Sequence, residues 1–452
     1  MAMSLPDVRV PETAASGLYR AFWRWHFYAG LLVMPVLMLM ALTGGLYLFK
    51  PEIEGALNKR LLSVPSAATS TTPQAWADAA LSVTSGKLVQ LVTPVGPTNT
   101  AKLVVETPSG LRQAIFVNPH DASVLGTVTD GGVMELIKRL HSLDIAGPVF
   151  NLLIEVVAGW AIVMVATGVV LWWPRGQSGG IVSVRGAPAR RVFWRDLHAV
   201  TGIFAGAIIV FLAATGMPWS AVWGKEVRRM TTEAGWGRPA APGGPGSHLD
   251  HKTPPAVPWA LQETDIHAGH DMGAMAGARV LDLNGAVASA DAADLKRPYA
   301  LSVPAAPGKP WSASYMPDRV QDTRTLYLDQ TNGRVLADIG YDDFGPAAKT
   351  IEWGIAVHQG QQYGLANKLV MLAGCVAIWL LGISALVMWW KRRPKGRLAA
   401  PPRPLTRGAY IGLATVIVPL AIIYPLVGAS LIVVLGMDVL IRRAFRSTAR
   451  TA

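Results

Sequence analysis

Two histidines open two copies of one apolar motif, and their type and spacing suit the axial ligation of a haem iron. His26 is followed by Gly30 and, 17 and 18 residues on, by Thr-Gly; the same spacings follow His198, where the glycine is Gly202. Two neutral imidazoles on neighbouring helices fill both axial positions of a haem, which leaves no open position for a substrate and suits electron transfer. The glycines would let a flat macrocycle approach the helix backbone. A single histidine at a membrane interface is usually an anchor, but a repeated one favours ligation.

A second pair of histidines precedes two further apolar segments. His141 lies 31 and 32 residues before Trp172-Trp173, and His358 lies 31 and 32 residues before Trp389-Trp390. The strand-like stretches before these histidines also match between the two halves. Two copies of a unit made of a helix, a small domain and a second helix therefore fill most of the chain.

The composition indicates a membrane protein. The chain has 452 residues, of which 51% are hydrophobic and 15% are charged. Its net charge is +12, and the basic residues lie mostly beside apolar segments, as at Arg190-Arg191 and Lys391-Arg392-Arg393. This is the positive-inside pattern and predicts no nucleic-acid partner. The single cysteine, Cys375, excludes a disulfide framework and a covalent haem attachment, so a haem would be held non-covalently.

The apolar segments predict a mainly α membrane protein with a four-helix haem-binding transmembrane core, two small α+β periplasmic domains and a C-terminal apolar hairpin. One long kinked helix is the alternative to the hairpin, because the segment contains Pro419 and Pro425. The predicted segments are a cytoplasmic N-terminus (1–25), membrane spans (26–49, 149–173, 198–223 and 366–390), periplasmic regions (50–148 and 224–365), cytoplasmic loops (174–197 and 391–407), the hairpin (408–440) and a tail (441–452).

The predicted topology sorts the four histidines between the two faces of the membrane. His26 and His198 begin outward-going spans, so we expect them near the cytoplasmic face and call them the inner pair. His141 and His358 precede inward-going spans, so we expect them near the periplasmic face and call them the outer pair. One bis-histidine haem at each pair would give an electron path across a bacterial inner membrane.

Other polar residues of the spans have simpler expected roles. Buried hydroxyls in helices usually bond their own backbone, and we expect this of Thr43, Thr167, Thr215 and Ser384 in preference to ligand binding. A transporter would carry a charged site near the membrane midplane, and we expect none here. The sequence has no dinucleotide or Walker motif, so electrons would come from a cytoplasmic partner protein or from a quinol.

A histidine-rich stretch precedes the second soluble domain. Imidazole and thioether together suit copper, so these side chains form a candidate second metal site and leave a copper-capturing role open. A flexible polar linker is the alternative interpretation. The candidate ligands are His267, His270, Met272 and Met275, with His248 and His251 upstream.

The combined pattern resembles the PepSY-associated transmembrane proteins, a family that includes haem-containing reductases of iron-loaded siderophores. The resemblance covers about residues 20–395 and rests on the two His/Thr-Gly spans, on Leu140-His141 and Val357-His358, and on the two Trp-Trp-basic exits. It implies PepSY-like periplasmic domains, two b-type haems, and reduction of a periplasmic ferric siderophore or other metal complex by electrons from inside, in iron acquisition. A copper reductase or copper-handling protein and a non-redox regulatory PepSY membrane protein are the alternatives.

Overall fold

The computed structural model describes residues 14–176, 179–237, 261, 281–306, 308–393, 407–434 and 436. They divide into two compact units. The helical unit comprises Met1–Gly45, Leu140–Glu226 and Val370–Ala452, and the sheet unit comprises Leu46–Arg139 and Val227–Leu369.

The helices are numbered in chain order. They are α1 (Ala14–Tyr47), α2 (Lys50–Leu57), α3 (Lys59–Leu62), α4 (Pro73–Val83), α5 (Gly132–His141), α6 (Pro148–Trp172), α7 (Arg191–Gly216), α8 (Trp223–Glu233), α9 (Leu283–Ala292), α10 (Pro346–His358), α11 (Gly364–Arg392), α12 (Arg407–Ile423) and α13 (Pro425–Val434).

Eight strands form one antiparallel sheet in the order β4-β3-β2-β1-β5-β6-β7-β8. The two small domains that the sequence predicts therefore share a sheet, because β1 and β5 pair edge to edge, with Leu91 opposite Leu301. The strands are β1 (Lys87–Val92), β2 (Ala101–Glu106), β3 (Arg112–Val117), β4 (Val124–Thr129), β5 (Ala300–Ser302), β6 (Trp311–Tyr315), β7 (Arg324–Leu328) and β8 (Val335–Gly340).

The internal repeat extends to the irregularities of the sheet. The register between β3 and β4 shifts at Phe116, and the register between β7 and β8 shifts at Tyr327, which is its counterpart in the repeat. Both halves of the sheet unit also contribute side chains to one apolar core, in which Trp76 of α4 and Val287 of α9 are buried. A repeat that preserves a β-bulge preserves backbone geometry as well as hydrophobicity.

His120 lies in the turn after β3. Its backbone N–H donates to Asn118 Oδ1 at 3.1 Å, and the corresponding Thr331 N–H donates to Asp329 Oδ1 at 2.8 Å. The His120 ring adds a contact that its counterpart lacks, since Nδ1 lies 2.6 Å from the Thr69 carbonyl oxygen and Nε2 lies 2.7 Å from the Pro97 carbonyl oxygen. Only an imidazolium donates from both nitrogens, and these carbonyls raise the pKa of His120.

Within the described residues, four helices are long and apolar enough to cross a membrane. Small side chains let them pack closely. One cluster joins Ala41 of α1, Ala161 of α6, Ala205 of α7 and Ala377 of α11. The candidate spans are Gly17–Tyr47, Val149–Trp172, Arg191–Trp219 and Gly364–Arg392.

The first and third spans differ most from their predicted bounds. The first helix continues well before residue 26, and aromatic pairs one turn apart support this extension: the rings of Tyr19 and Trp23 lie 6.5 Å apart. The third span begins at Arg191 and ends before the predicted Trp223. Helix α7 stops at Gly216 because Pro218, two residues on, has no backbone N–H to continue the ladder.

The C-terminal apolar segment is divided at Tyr424 into α12 and α13. The chain bends sharply there, so that a side chain at Gly428 would meet the Ala421 carbonyl oxygen. Both parts contact α6: Leu413 of α12 is buried in one apolar cluster with Val157 of α6, and Trp160 Nε1 of α6 donates to Ser430 Oγ of α13 at 2.9 Å. Each part is shorter than the four candidate spans.

Glu155 of α6 lies inside a candidate span, where we expect no charged site from the sequence, and so corrects that expectation. Its side chain is 1% exposed, and Oε2 accepts from the backbone N–H groups of Val222 and Trp223, each at 3.1 Å. No described residue bonds Oε1. The carboxylate therefore satisfies the backbone where α8 begins, which gives it a structural reason to lie inside an apolar helix.

Candidate functional site

The two rings of the inner pair lie together in the helical unit. His26 lies inside α1 and not at its start, and His198 lies inside α7. Their ring centroids are 6.3 Å apart and their planes are nearly perpendicular, at 89°. The structure therefore brings together two histidines that are separated by 172 residues of sequence and related by the repeat.

The partner of His26 is a threonine on α6. His26 Nδ1 lies 2.9 Å from Thr167 Oγ1. The hydroxyl of Thr167 donates to the carbonyl oxygens of Val163 and Met164, at 2.9 and 3.1 Å. Because the hydroxyl hydrogen is used in this way, Oγ1 acts as the acceptor and Nδ1–H of His26 as the donor. This tautomer leaves the lone pair of the imidazole on Nε2.

His198 is held in the same tautomer by α11. Its Nδ1 lies 3.1 Å from both the Leu381 carbonyl oxygen and Ser384 Oγ. A carbonyl oxygen only accepts, so Nδ1 of His198 must carry the proton. The Ser384 hydroxyl itself donates to the Leu381 carbonyl at 3.0 Å. Nε2 of His198 therefore also presents a lone pair.

One member of the outer pair follows the same rule. His141, at the end of α5, places Nδ1 3.0 Å from Thr43 Oγ1 of α1. The Thr43 hydroxyl donates to the Leu39 carbonyl oxygen at 2.8 Å, so it accepts from His141. Burial lowers the pKa of His141, which favours the neutral imidazole that metals bind.

A glycine gives the His141 ring its space. A side chain at Gly44 would lie 3.1 Å from His141 Cε1, which is closer than most contacts of a real Cβ, whereas one at Gly168 would make an ordinary contact, at 3.4 Å from His26 Cε1. Gly44 and Gly168 each directly follow the threonine that bonds the same ring. At Gly30 and Gly202 a Cβ would also make only ordinary contacts, at 3.5 Å with Met164 and 3.6 Å with Leu381. The protein's own packing does not require a glycine at these two positions.

The hydroxyl partners are functional candidates that the sequence interpretation missed. The prediction that Thr43, Thr167, Thr215 and Ser384 bond their own helices is confirmed. Three of them also bind a histidine ring, a contact that the prediction did not include. The sequence contains a pattern that could have identified two of these partners. Thr167 and Ser384 each precede a Trp-Trp pair by five residues, so the repeat places a hydroxyl at equivalent points of α6 and α11.

The inner pair fits a metal held between two imidazoles. With metal–nitrogen distances of about 2.0–2.1 Å and a ring centre about 1.1 Å behind each nitrogen, two imidazoles on opposite sides of one metal have centroids about 6 Å apart. The observed separation is 6.3 Å. The donor set of two neutral imidazoles among apolar helices is the one that a bis-histidine haem uses.

The remaining predicted site residues are His358 and those of the candidate second metal site. His358 ends α10 in the sheet unit, so its pairing with His141 stays a prediction. The candidate second metal site lies outside the described residues. In the ranges that are described, no group of three or more His, Cys, Asp or Glu side chains could hold a metal ion. The residues of this candidate site are His267, His270, Met272 and Met275, with His248 and His251 upstream.

A family comparison covers the region that carries these features. The profile of the PepSY-associated TM region matches residues 23–392. The protein belongs to this family. The match includes all four histidines of the inner and outer pairs, all of the sheet, and nearly all of the four candidate spans. A comparison with curated proteins finds no significant match. The PepSY-associated TM protein is thus a membrane protein by family and by its helices.

Proposed function

We propose that this PepSY-associated TM protein is a di-haem b oxidoreductase of the bacterial inner membrane. One haem would be held by the inner pair and one by the outer pair, each through two axial histidines. Electrons would enter from a cytoplasmic partner protein or a quinol and leave to a ferric siderophore or other metal complex in the periplasm. The observation that carries the proposal is the inner pair, with centroids 6.3 Å apart and both Nδ1 atoms bonded away from each other's ring to separate helices.

The roles of the chain's own residues follow from this arrangement. His26 and His198 would bind iron through Nε2, because Nδ1 is occupied on each ring. When bound, the haem supplies reversible one-electron chemistry, and two axial histidines leave it no substrate position. The apolar helices around the pair would limit the access of water to the bound haem.

The proposed substrate is reduced outside the helices. A ferric siderophore complex is large and polar, so it would meet the protein at the periplasmic surface near the outer pair. Iron(III) is held tightly by hard oxygen ligands, whereas iron(II) binds them less strongly. Transfer of one electron is therefore sufficient to release the iron for uptake.

The test is the reoxidation of the reduced protein. Purified protein is reduced with dithionite, freed of excess reductant and mixed anaerobically with the hydroxamate complex ferrioxamine B, while haem absorbance is followed and iron(II) is trapped with ferrozine. We expect haem oxidation and iron(II) formation in equal amounts. His358→Ala should lose this reaction, whereas His120→Ala, which changes a turn histidine of the sheet unit, should keep it.

Removal of residues 245–277 separates iron from copper as the substrate. If this segment is a linker, the deletion leaves ferric reoxidation unchanged. Loss of reoxidation by copper(II) on deletion, with no ferric reaction in the intact protein, would replace the siderophore assignment with a copper reductase. Absence of haem from the intact protein would favour the non-redox regulatory function instead.

A further inference from the structure

One hydrogen-bonding device recurs at three histidines of the helical unit. In each case Nδ1 of the ring lies within hydrogen-bond distance of a buried hydroxyl on another element, and that hydroxyl donates to a carbonyl three or four residues earlier in its own helix. The three pairs are His26 with Thr167 at 2.9 Å, His141 with Thr43 at 3.0 Å, and His198 with Ser384 at 3.1 Å.

The arrangement does more than satisfy the hydroxyls. A threonine in a helix interior is already satisfied by its own backbone, so it needs no histidine. The rings, however, need an acceptor for Nδ1–H if Nε2 is to keep its lone pair in apolar surroundings. The three hydroxyl residues are 0 to 3% exposed, so water is a poor substitute for them. The chain thus supplies an acceptor at each ring.

The acceptors differ between the two rings of the inner pair. His198 has two, the Ser384 hydroxyl and the Leu381 carbonyl, both at 3.1 Å. His26 has one acceptor of good geometry among the described residues, the Thr167 hydroxyl, although the Met164 carbonyl faces the same ring. Loss of the hydroxyl therefore leaves His198 with an acceptor and leaves His26 without a well-aligned one.

We propose that Thr43, Thr167 and Ser384 are positioning residues that fix the axial histidines and set the reduction potentials of the haems. This inference rests on the proposed function. A bond from Nδ1–H to an acceptor increases the electron donation of Nε2, which stabilises iron(III) relative to iron(II) and lowers the potential. Removing the acceptor should raise the potential and weaken haem binding.

The test compares Thr167→Val with Thr167→Ser. Valine keeps the shape and removes the hydroxyl, whereas serine keeps the hydroxyl that the repeat itself uses at Ser384. Spectroelectrochemical titration of the purified protein should show a higher reduction potential for the inner haem of T167V than for that of the unsubstituted protein. We expect a difference of about 59 mV, which for one electron corresponds to a tenfold change in the iron(III)/iron(II) equilibrium. Haem affinity should fall on the order of 10- to 100-fold. T167S should match the unsubstituted protein.

Ser384→Ala provides the second arm and a safeguard. Because Leu381 still accepts from His198, S384A should shift the potential in the same direction but by less than T167V. If T167V does not fold, S384A and Thr43→Val still decide the question. Unchanged potentials and spectra in the folded variants would overturn this inference while leaving the haem assignment intact. Absence of haem from the unsubstituted protein would instead overturn the proposed function.

Discussion

Glu155 should be a main support of the turn between α7 and α8. Its Oε2 accepts from two backbone N–H groups, those of Val222 and Trp223, and its side chain is 1% exposed. Replacement by leucine keeps the volume but leaves both donors unpaired. Each unpaired buried donor costs about 1–3 kcal/mol, so we expect Glu155→Leu to lower the free energy of unfolding by about 2–6 kcal/mol.

The matched control is Glu155→Gln. Its amide oxygen still accepts from both N–H groups, so we expect a loss of less than about 1 kcal/mol. Both variants would be compared by reversible unfolding of the detergent-solubilised protein in increasing sodium dodecyl sulfate. If the free energy of unfolding of Glu155→Leu lies within about 0.5 kcal/mol of that of the unsubstituted protein, our account of this turn is wrong, because an ordinary surface substitution has an effect of that size. If Glu155→Gln loses as much as Glu155→Leu, the negative charge matters and not only the acceptor.

Two further substitutions test the ring contacts. In Gly44→Ala the new Cβ would lie 3.1 Å from His141 Cε1, so the ring must shift. We therefore expect a changed absorption spectrum for the outer haem alone. The control is Gly55→Ala, where no atom lies within 4 Å of the new Cβ and the spectrum should stay the same. An unchanged spectrum in Gly44→Ala would show that this contact is easily relaxed. His120 has a raised pKa in the folded protein, so its stabilising bonds are complete below its usual pKa of 6.5 and are lost as the pH rises through the raised value. The stability difference between the unsubstituted protein and His120→Gln, measured by thermal unfolding, should therefore shrink as the pH rises, and a pH-independent difference would contradict the imidazolium.

The sequence predicts the repeat, the membrane class and the histidines because these depend on spacing and hydrophobicity. The pairing of β1 with β5 is not predictable in this way. The sequence of either strand would equally suit the edge of a separate small sheet. Helix α1 begins earlier than predicted because aromatic residues before His26, Tyr19 and Trp23, pack one turn apart along its surface.

The contacts of the site depend on residues far apart in the chain. Thr167 is 141 residues from His26, and Thr43 is 98 residues from His141, so neither partner follows from local pattern. The equivalence of Thr167 and Ser384 within the repeat is visible in the sequence, but helix packing determines which histidine each hydroxyl binds. Glu155 is a similar case, because its two backbone partners lie 67 and 68 residues away.

Haem quantification tests the central claim most directly. A pyridine haemochrome assay on the purified protein should find two b-type haems per chain, one haem in His26→Ala and one in His198→Ala. His120→Ala should retain both, because its ring lies in a turn of the sheet unit. Full haem content in both His26→Ala and His198→Ala, or no haem in the unsubstituted protein, would contradict the assignment of the inner pair.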